Sequence, residues 1–246
     1  MSENAFHFKQ FVILQDKCAM KVGTDAVLLG SWVQSDHEKT LLDIGTGTGV
    51  IAIMMAQKSS ADIIAIDLDE NAFLQATENV KSSPWSSRIK VLHASFQQFY
   101  AANSDTFDLI VSNPPYFIDA SKPIAEARIK ARHTNNNLTF DELIAGVCKL
   151  LSPDGRFCLI LPHKEGLIFK DKAIAMGLYC QEMMKVKTKV DKVEKRLMMQ
   201  FGFKPGPMIE KELIVQENDL GYSLDYIEFT KDYYLGLKRN HLNKAL

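Results

Sequence analysis

The 246-residue sequence has few of the residues that mark a secreted, membrane-spanning or metal-binding protein. Its four cysteines are widely spaced and form no C-x-x-C pair, which argues against both a disulfide framework and a zinc site. The six histidines lack the short spacing that places two ligands on one helix face, so no metal is predicted. No segment approaches the ~18 apolar residues that span a bilayer, and the chain does not open with a signal peptide. We therefore expect inert thiols and a cytoplasmic protein without a membrane partner.

An excess of one charge is also missing. Lys and Arg number 29 against 30 Asp and Glu, which gives a net charge of −1 and a pI near 6.6. A protein surrounded by nucleic acid would carry a basic excess, so any RNA or DNA contact must come from local patches. With 46% hydrophobic residues and no internal repeat, we predict one domain over residues 1–246: an N-terminal extension (1–37), a core (38–204) and a C-terminal tail (205–246).

From Thr40 onward, short apolar runs alternate with helical stretches, which is typical of a parallel sheet covered by helices. The predicted strands are 41–44, 62–67, 88–93, 107–112, 156–161, 180–186 and 196–201. The predicted helices are 50–58, 70–81, 140–151 and 165–176, with a turn at 152–155. The expected fold is α/β and Rossmann-like, with a seven-stranded, mostly parallel sheet, an antiparallel C-terminal hairpin and helices on both faces.

A glycine-rich loop follows the first strand of this core. Asp43 precedes Gly45, Gly47 and Gly49, whose missing side chains let the backbone turn tightly and approach a ligand at the start of a helix. Val50 stands near the place where the dinucleotide fingerprint G-x-G-x-x-G has its third glycine, which disfavours a nicotinamide or flavin cofactor. The loop therefore predicts a site for another adenosine-type cofactor.

Acidic residues near the loop favour S-adenosylmethionine, which needs partners for its ribose hydroxyls and its ammonium group. Asp43 lies just before the loop, and Asp67 ends the second strand, where it is placed to accept both ribose hydroxyls. Alternatively, Asp67 or Asp69 caps the helix that begins near Glu70; we assign Asp69 to the cap and Asp67 to the ribose. Ser95, after the third strand, lies where an adenine contact is expected.

The fourth predicted strand ends at Asn113-Pro114-Pro115-Tyr116, at the edge where open α/β sheets bind ligands. An exocyclic amine is a poor nucleophile because its lone pair is delocalised into the ring. The Asn113 side-chain carbonyl and the Pro114 backbone carbonyl can each accept an N–H and so turn that lone pair toward a methyl donor. Pro115 stiffens the loop and Tyr116 offers a stacking face, although N-P is also common in ordinary turns. We predict these four residues to be catalytic, and Asn113 also to contact the cofactor.

The glycine loop and the Asn-Pro-Pro-Tyr sequence together resemble the class I, seven-stranded N-methyltransferases, over most of residues 20–202. Phe8-Lys9-Gln10-Phe11, the stretch from Met20 to Gly30, and Ala131-Arg132-His133 are most similar to the bacterial tRNA(Val) adenine-N6-methyltransferase family. The resemblance implies methyl transfer from S-adenosylmethionine to N6 of the tRNA adenine beside the anticodon, at tRNA position 37, held by the residues from Asn113 to Tyr116.

By the same resemblance, the N-terminal extension packs over the cofactor site, with Gly23, Thr24 and Asp25 over the methionine end of the cofactor. A second interpretation is that Thr24 or Asp25 is the N-cap of a helix from Ala26 to Trp32, and the two roles are compatible.

Two basic clusters are candidates for the RNA contact, although charge runs are more often solvated faces. The first cluster has only Asp191 and Glu194 as acids and contains Lys185, Lys187, Lys189, Lys192, Lys195, Arg196 and Lys204. The second cluster follows the Asn-Pro-Pro-Tyr sequence and contains Lys122, Arg128, Lys130, Arg132 and His133. A tRNA substrate is expected, with no obligate protein partner implied. Flipping a base from a loop costs less than flipping it from a duplex, which favours a loop target.

Other functions remain open at this stage. Protein-glutamine methyltransferases of release factors also carry Asn-Pro-Pro-Tyr, but they have an extra helical domain before the glycine loop, where this chain has about forty residues. An rRNA or DNA amino-methyltransferase is a further alternative, although no insertion for base reading is visible. A catalytically silent S-adenosylmethionine- or RNA-binding module is disfavoured by Asn113 and Tyr116.

Overall fold

A long mixed β-sheet runs through the structure, a computed structural model that describes residues 4–18, 20–114, 138–217 and 221–237. Its strands, after the short N-terminal β1 (Ala5–His7) and β2 (Val12–Leu14), are β3 (Thr40–Ile44), β4 (Asp62–Asp67), β5 (Ile89–His93), β6 (Phe107–Ser112), β7 (Leu151–Pro162), β8 (Tyr179–Lys189), β9 (Glu194–Gly202), β10 (Ile209–Glu217) and β11 (Gly221–Tyr222). The helices are α1 (Thr24–Trp32), α2 (Val50–Lys58), α3 (Glu70–Ser82), α4 (Phe96–Ala102), α5 (Phe140–Leu150), α6 (His163–Ala175) and α7 (Leu224–Thr230), with a 3-10 turn at Ser86–Arg88.

The strand order across the sheet is β11-β10-β8-β9-β7-β6-β3-β4-β5, and β1 pairs with β2 in a separate hairpin. The five strands from β5 to β7 are parallel to one another, whereas β9 runs antiparallel to both β7 and β8. This arrangement confirms the predicted α/β, mostly parallel sheet with an antiparallel C-terminal hairpin. The predicted count of seven strands is wrong, because β10 adds in parallel to β8 and β11 adds to β10 among the described residues.

Helices cover both faces of the sheet because its central strands are apolar on both sides. Along β6, Leu109 and Val111 enter the core beneath α1 and α2, while Phe107 and Ile110 enter the core beneath α5 and α6. All four side chains are buried. Such two-sided burial is typical of a parallel strand between two helical layers. In sheets of this kind, ligands bind at the carboxyl ends of the strands.

Residues 152–155 form part of β7 and not a turn before it, which corrects the sequence prediction. The pairing jumps from Phe107↔Leu151 to Leu109↔Arg156, so the segment is a bulge within a continuous strand. Gly155 permits this bulge, because a Cβ there would lie 2.9 Å from the Phe107 carbonyl oxygen. The sequence Ser-Pro-Asp-Gly, which is typical of a turn, thus forms a bulge near the amino end of β7.

The N-terminal hairpin and the C-terminal tail lie side by side. The Lys9 N–H donates to the Tyr233 carbonyl at 2.8 Å, and the ring of Phe8 stacks on Tyr234 at 6.1 Å between centroids. The hairpin also contacts α3 through Leu14. The extension is therefore anchored to the body of the protein at two places.

Candidate active site

The ends of β3 and β6 meet at one point of the sheet. Ile44 is the register partner of Ser112, and the buried Ser112 hydroxyl donates to the Ile44 carbonyl at 2.9 Å. The next residues along the two strands are Gly45 and Asn113, so the glycine loop and Asn113 start from adjacent positions. The structure thus brings together two motifs that lie 68 residues apart in the sequence.

The glycine loop leaves β3 in a conformation that side chains disfavour. Gly45, Gly47 and Gly49 have φ values of 71°, 57° and 82°. The N–H groups of Gly45 and Thr46 both donate to the Ile66 carbonyl at 3.0 Å, which holds the loop against β4. A Cβ on Gly45 or Gly47 would meet no described atom within 4 Å, so the loop presents bare backbone to open space. A ligand can therefore approach the backbone closely here.

Asp43, the residue before Ile44 in β3, is fully buried beneath this loop. One carboxylate oxygen accepts a 2.6 Å hydrogen bond from the Thr46 hydroxyl. The other, Oδ1, has no described partner at ordinary hydrogen-bond geometry. Burial raises the pKa of Asp43 to about 7, against the lowering effect of Thr46 and of the more loosely placed Ala52 amide. Asp43 holds the loop from below, and its Oδ1 makes no hydrogen bond of ordinary geometry within the described chain.

Asp67 supports the loop from the neighbouring strand. Its Oδ2 accepts from the Gly47 N–H at 2.8 Å, and its Oδ1 accepts from the Asp69 N–H at 2.9 Å. A carboxylate has about four lone-pair sites, so these two bonds leave capacity for other donors. Burial raises the pKa of Asp67, while the Asp69 and Gly47 amides lower it. Asp69 is the N-cap of α3 and accepts from the Ala72 N–H at 2.8 Å, which confirms its predicted capping role.

Asn113 and Pro114 are the first residues beyond β6, and Pro114 is buried. Pro115 and Tyr116, which complete the predicted catalytic loop, lie outside the described residues. Ser95, the predicted adenine contact, is the N-cap of α4, and its hydroxyl accepts from the Gln98 N–H at 3.1 Å.

The predicted cofactor segment from Gly23 to Asp25 begins α1. The N-cap of this helix is Gly23, with no side-chain capping bond, so the prediction of a cap at Thr24 or Asp25 is wrong. The physical reason is that the Asp25 carboxylate accepts a 2.7 Å hydrogen bond from the Arg196 Nε of β9. This ion pair ties the start of α1 to the C-terminal hairpin.

The first basic cluster divides into two parts. Lys185 pairs with Glu210, and Lys187 pairs with Glu212 at 2.7 Å, because β10 lies beside β8. Lys189 and Lys192 lie at the turn between β8 and β9, where only Lys192 has a described ion pair, with the adjacent Asp191 at 3.4 Å. The second cluster lies outside the described residues: Lys122, Arg128, Lys130, Arg132 and His133.

The turn between β8 and β9 points to the same edge of the sheet as the glycine loop. Pro162, at the carboxyl end of β7, is the register partner of Arg196 near the start of β9. Since β7 is parallel to β6, the turn that precedes Arg196 lies at the carboxyl edge, where Asn113 also lies. Lys185 and Lys187 are neutralised, and the turn that carries Lys192 lies at the same edge of the sheet as the candidate site.

Sequence reasoning missed two buried amides on α3, Gln75 and Asn79, which are 0% and 1% exposed. Asn79 accepts from the Leu14 N–H at the end of β2, and Gln75 accepts from the Lys17 N–H in the segment after β2. Polar residues four apart on the inward face of an amphipathic helix are the signal that would have found them.

The described cysteines are free, and burial raises the pKa of Cys18 to about 11 and that of Cys158 to about 12, so these thiols are protonated at neutral pH. Within the described ranges, no group of three or more His, Cys, Asp or Glu side chains is placed to hold a metal ion. No helix in that part of the chain has the length and apolar character needed to cross a membrane.

Comparisons with known proteins agree with this geometry. The family model of the methyltransferase small domain matches residues 18–169. The chain is 44% identical over 236 residues to the tRNA1(Val) (adenine(37)-N6)-methyltransferase of Bacteroides fragilis, an alignment that covers 96% of this chain and 99% of the relative. It is likewise 44% identical over 238 residues to the enzyme of the same name from Trichodesmium erythraeum, again with 96% and 99% covered.

Among solved structures, a predicted O-methyltransferase from Agrobacterium tumefaciens aligns with a TM-score of 0.64 at 18% identity, covering 85% of this chain and 96% of the other. At that identity the likeness concerns the fold alone, and it supports the Rossmann-like arrangement of the sheet.

Proposed function

Because the chain belongs to the methyltransferase small domain family and to the family of bacterial tRNA1(Val) (adenine(37)-N6)-methyltransferases, we propose that it transfers a methyl group from S-adenosylmethionine to N6 of adenine 37 in tRNA1(Val). The observation that carries the proposal is the junction of β3 and β6, where the glycine loop and Asn113 start from adjacent residues. A tRNA substrate also implies that the protein works in the cytoplasm.

The residues around the glycine loop fit S-adenosylmethionine. Gly45 and Gly47 leave the backbone bare where a Cβ would otherwise stand, so the amino-acid part of the cofactor can lie against it. We assign the remaining lone-pair capacity of Asp67 to the ribose hydroxyls, and the Oδ1 of Asp43 to donors in or beside the loop. Gly49 would close the loop, Ser95 would border the adenine, and the segment from Gly23 to Asp25 would cover the methionine end.

The bound cofactor supplies an electrophilic methyl group on a sulfonium. Asn113 and Pro114 would accept the two N–H groups of the adenine amine through the amide side chain and the backbone carbonyl. This arrangement turns the nitrogen lone pair out of the ring plane and toward the methyl group. Pro115 would keep the loop rigid, and Tyr116 would stack on the flipped base. No general base is needed to start the transfer, because the reacting lone pair is on a neutral amine.

The RNA contact is assigned to basic residues at the carboxyl edge of the sheet. Lys189 and Lys192 at the β8–β9 turn are the described members, and they would bind backbone phosphates beside the anticodon loop. The cluster from Lys122 to His133 is proposed for the same role. Lys185 and Lys187 contribute less than the sequence predicts, since Glu210 and Glu212 already neutralise them.

The test is a methyl-transfer assay with labelled S-adenosylmethionine on three acceptors: unmodified tRNA1(Val), the same transcript with guanine in place of adenine 37, and a release factor. We expect N6-methyladenosine in the first transcript alone, identified by mass spectrometry of the digested RNA. Equal label in the adenine-37 variant would reject the position. Methylglutamine in the release factor, or no transfer at all, would reject the substrate.

A further inference from the structure

Helix α3 presents a buried amide to two separate parts of the structure. Asn79 is 1% exposed and lies one turn after Gln75 on the face of α3 that contacts β2. Its Oδ1 accepts from the Leu14 N–H at 2.8 Å, and its Nδ2 donates to the Leu14 carbonyl at 2.9 Å. This pair of bonds mimics one step of a β-ladder and fixes β2 to the helix.

The second N–H of the same amide reaches the glycine loop. Nδ2 donates to the Thr48 carbonyl at 2.8 Å, and this bond is buried. The Thr48 carbonyl belongs to the peptide that enters Gly49, whose φ is 82°. Fixing that carbonyl fixes the plane of the peptide, so Asn79 holds the loop at the point where it turns into α2.

The other bonds of the loop come from the sheet and from the loop itself. Gly45 and Thr46 bond to Ile66, Gly47 bonds to Asp67, and the Gly49 N–H donates to the Thr46 carbonyl. Among the described residues, the Asn79 bond is the one that links the loop to β2. Gln75 holds the same N-terminal segment through the Lys17 N–H at 2.9 Å, and no described bond joins it to the loop.

We propose that Asn79 is a positioning residue for the cofactor: it sets the shape of the glycine loop and couples that loop to the docking of β2. The inference rests on the proposed function in so far as the loop is the S-adenosylmethionine site. Its consequence is that cofactor binding and β2 docking stabilise each other, because a coupling between two equilibria is reciprocal.

The variant Asn79→Leu removes all three bonds at similar side-chain size, and Gln75→Leu is the matched control on the same helix face. In Asn79→Leu we expect Kd and KM for S-adenosylmethionine to rise about tenfold, because buried backbone groups of the loop lose their partner. The kcat at saturating cofactor and the KM for tRNA should stay within about twofold, since Asn79 does not reach the substrate. In Gln75→Leu the cofactor Kd should change less than about twofold.

A purely structural role for Asn79 would lower the thermal midpoint of Asn79→Leu with an unchanged cofactor Kd, and that outcome would overturn the inference. Equal rises of Kd in both variants would also overturn it, because the N-terminal segment and not the loop bond would then set affinity. The Kd for S-adenosylmethionine is measured without RNA. If the wild-type protein binds S-adenosylmethionine but does not methylate tRNA, that result counts against the proposed substrate alone.

Hydrogen exchange of the wild-type protein keeps the inference testable if Asn79→Leu does not fold. S-adenosylhomocysteine should slow exchange of the Leu14 amide, whose acceptor is Asn79, by about fivefold or more. The Leu213 amide in β10, at the far side of the sheet, should slow less. Equal slowing at both amides, or none at Leu14, would contradict the proposed coupling.

Discussion

Ser112 donates its hydroxyl to the main-chain carbonyl of Ile44 across the ends of two parallel strands. Parallel strands do not make such side-chain bonds as part of their ladder, so this one adds a specific link where the strands stop. It fixes the distance between the residues that follow, Gly45 and Asn113. A methyl donor over the glycine loop and an amine held by Asn113 would therefore be bound by two segments whose starting points the sheet fixes.

The first prediction concerns Asn113. Asn113→Ala should reduce methyl transfer at least about 100-fold, because the amide that orients the amine is lost. Binding of S-adenosylmethionine should stay within about threefold, since the glycine loop and its supports are unchanged. Single-turnover transfer and calorimetric titration measure the two quantities. Activity of the variant within threefold of wild type would reject the proposed orientation of the amine.

The second prediction separates two neighbouring carboxylates. Asp67→Ala should weaken cofactor binding at least about tenfold, because Asp67 supports Gly47 and would bind the ribose. Asp69→Ala is the control: it removes the N-cap of α3 and should lower stability by about 1 kcal/mol. Its cofactor Kd should change less than about twofold. An unchanged Kd in Asp67→Ala would remove the ribose assignment, and a matching loss in both variants would attribute the effect to α3.

The four strands β3 to β6 could be predicted to within about a residue because each apolar run is bounded by a strong local signal, whereas β7 begins five residues and β8 ends three residues beyond the predicted bounds. The strand 107–112 ends at Asn113-Pro114, and 41–44 ends at the glycine loop. β10 could not be predicted, because Ile209–Glu217 is rich in charged residues. Two of these, Glu210 and Glu212, form ion pairs with lysines of the neighbouring strand β8. Partners that far apart in the chain leave no periodic pattern.

In the candidate site, too, local sequence predicts some residues, whereas others depend on partners that are distant in the chain. Asp43, Asp67 and the three glycines could be selected from local sequence, since their spacing around β3 and β4 is short. The prediction of an N-cap at Thr24 or Asp25 is wrong, and the carboxylate of Asp25 instead accepts a hydrogen bond from Arg196, 171 residues away. Asn79 was missed because its three partners lie in β2 and the glycine loop, and neither can be seen from α3 alone.

The third prediction concerns pH. Burial raises the pKa of Asp43 from 3.8 to about 7, so the folded protein holds that proton more tightly than the unfolded chain. The resulting stabilisation is complete below about pH 4 and is lost as the pH rises through 7. Asp43→Asn cannot ionise, and its amide oxygen can still accept from Thr46. Between pH 5.5 and about 8, the thermal midpoint of wild type should therefore fall by several degrees relative to Asp43→Asn.

Parallel midpoint curves for the two proteins across that pH range would show that Asp43 does not titrate there. The measurement is made without cofactor, because a bound ligand near the loop would add its own pH dependence. Asp67, whose pKa is also raised by burial, is present in both proteins, and its charge raises the pKa of Asp43, so the difference between the two curves reports Asp43 together with its coupling to Asp67.

The fourth prediction tests the proposed RNA contact by removing lysine charges at one edge of the sheet and, as a control, at the other. Lys189→Gln, Lys192→Gln and Lys195→Gln combined remove three positive charges from the end of β8, the β8–β9 turn and the start of β9. The KM for tRNA should rise at least about tenfold, and the dependence of tRNA affinity on salt should become shallower, because fewer counterions are released. The KM for S-adenosylmethionine should not change.

The control for this variant removes the same total charge from the opposite edge of the sheet. Lys39, Lys90 and Lys204 are exposed near the amino ends of β3 and β5 and just after the carboxyl end of β9. Their combined replacement by Gln should leave the KM for tRNA within about twofold, since phosphates beside the candidate site cannot reach them. If both triple variants lose tRNA affinity equally, the effect is one of net charge, and the β8–β9 turn is not the RNA contact.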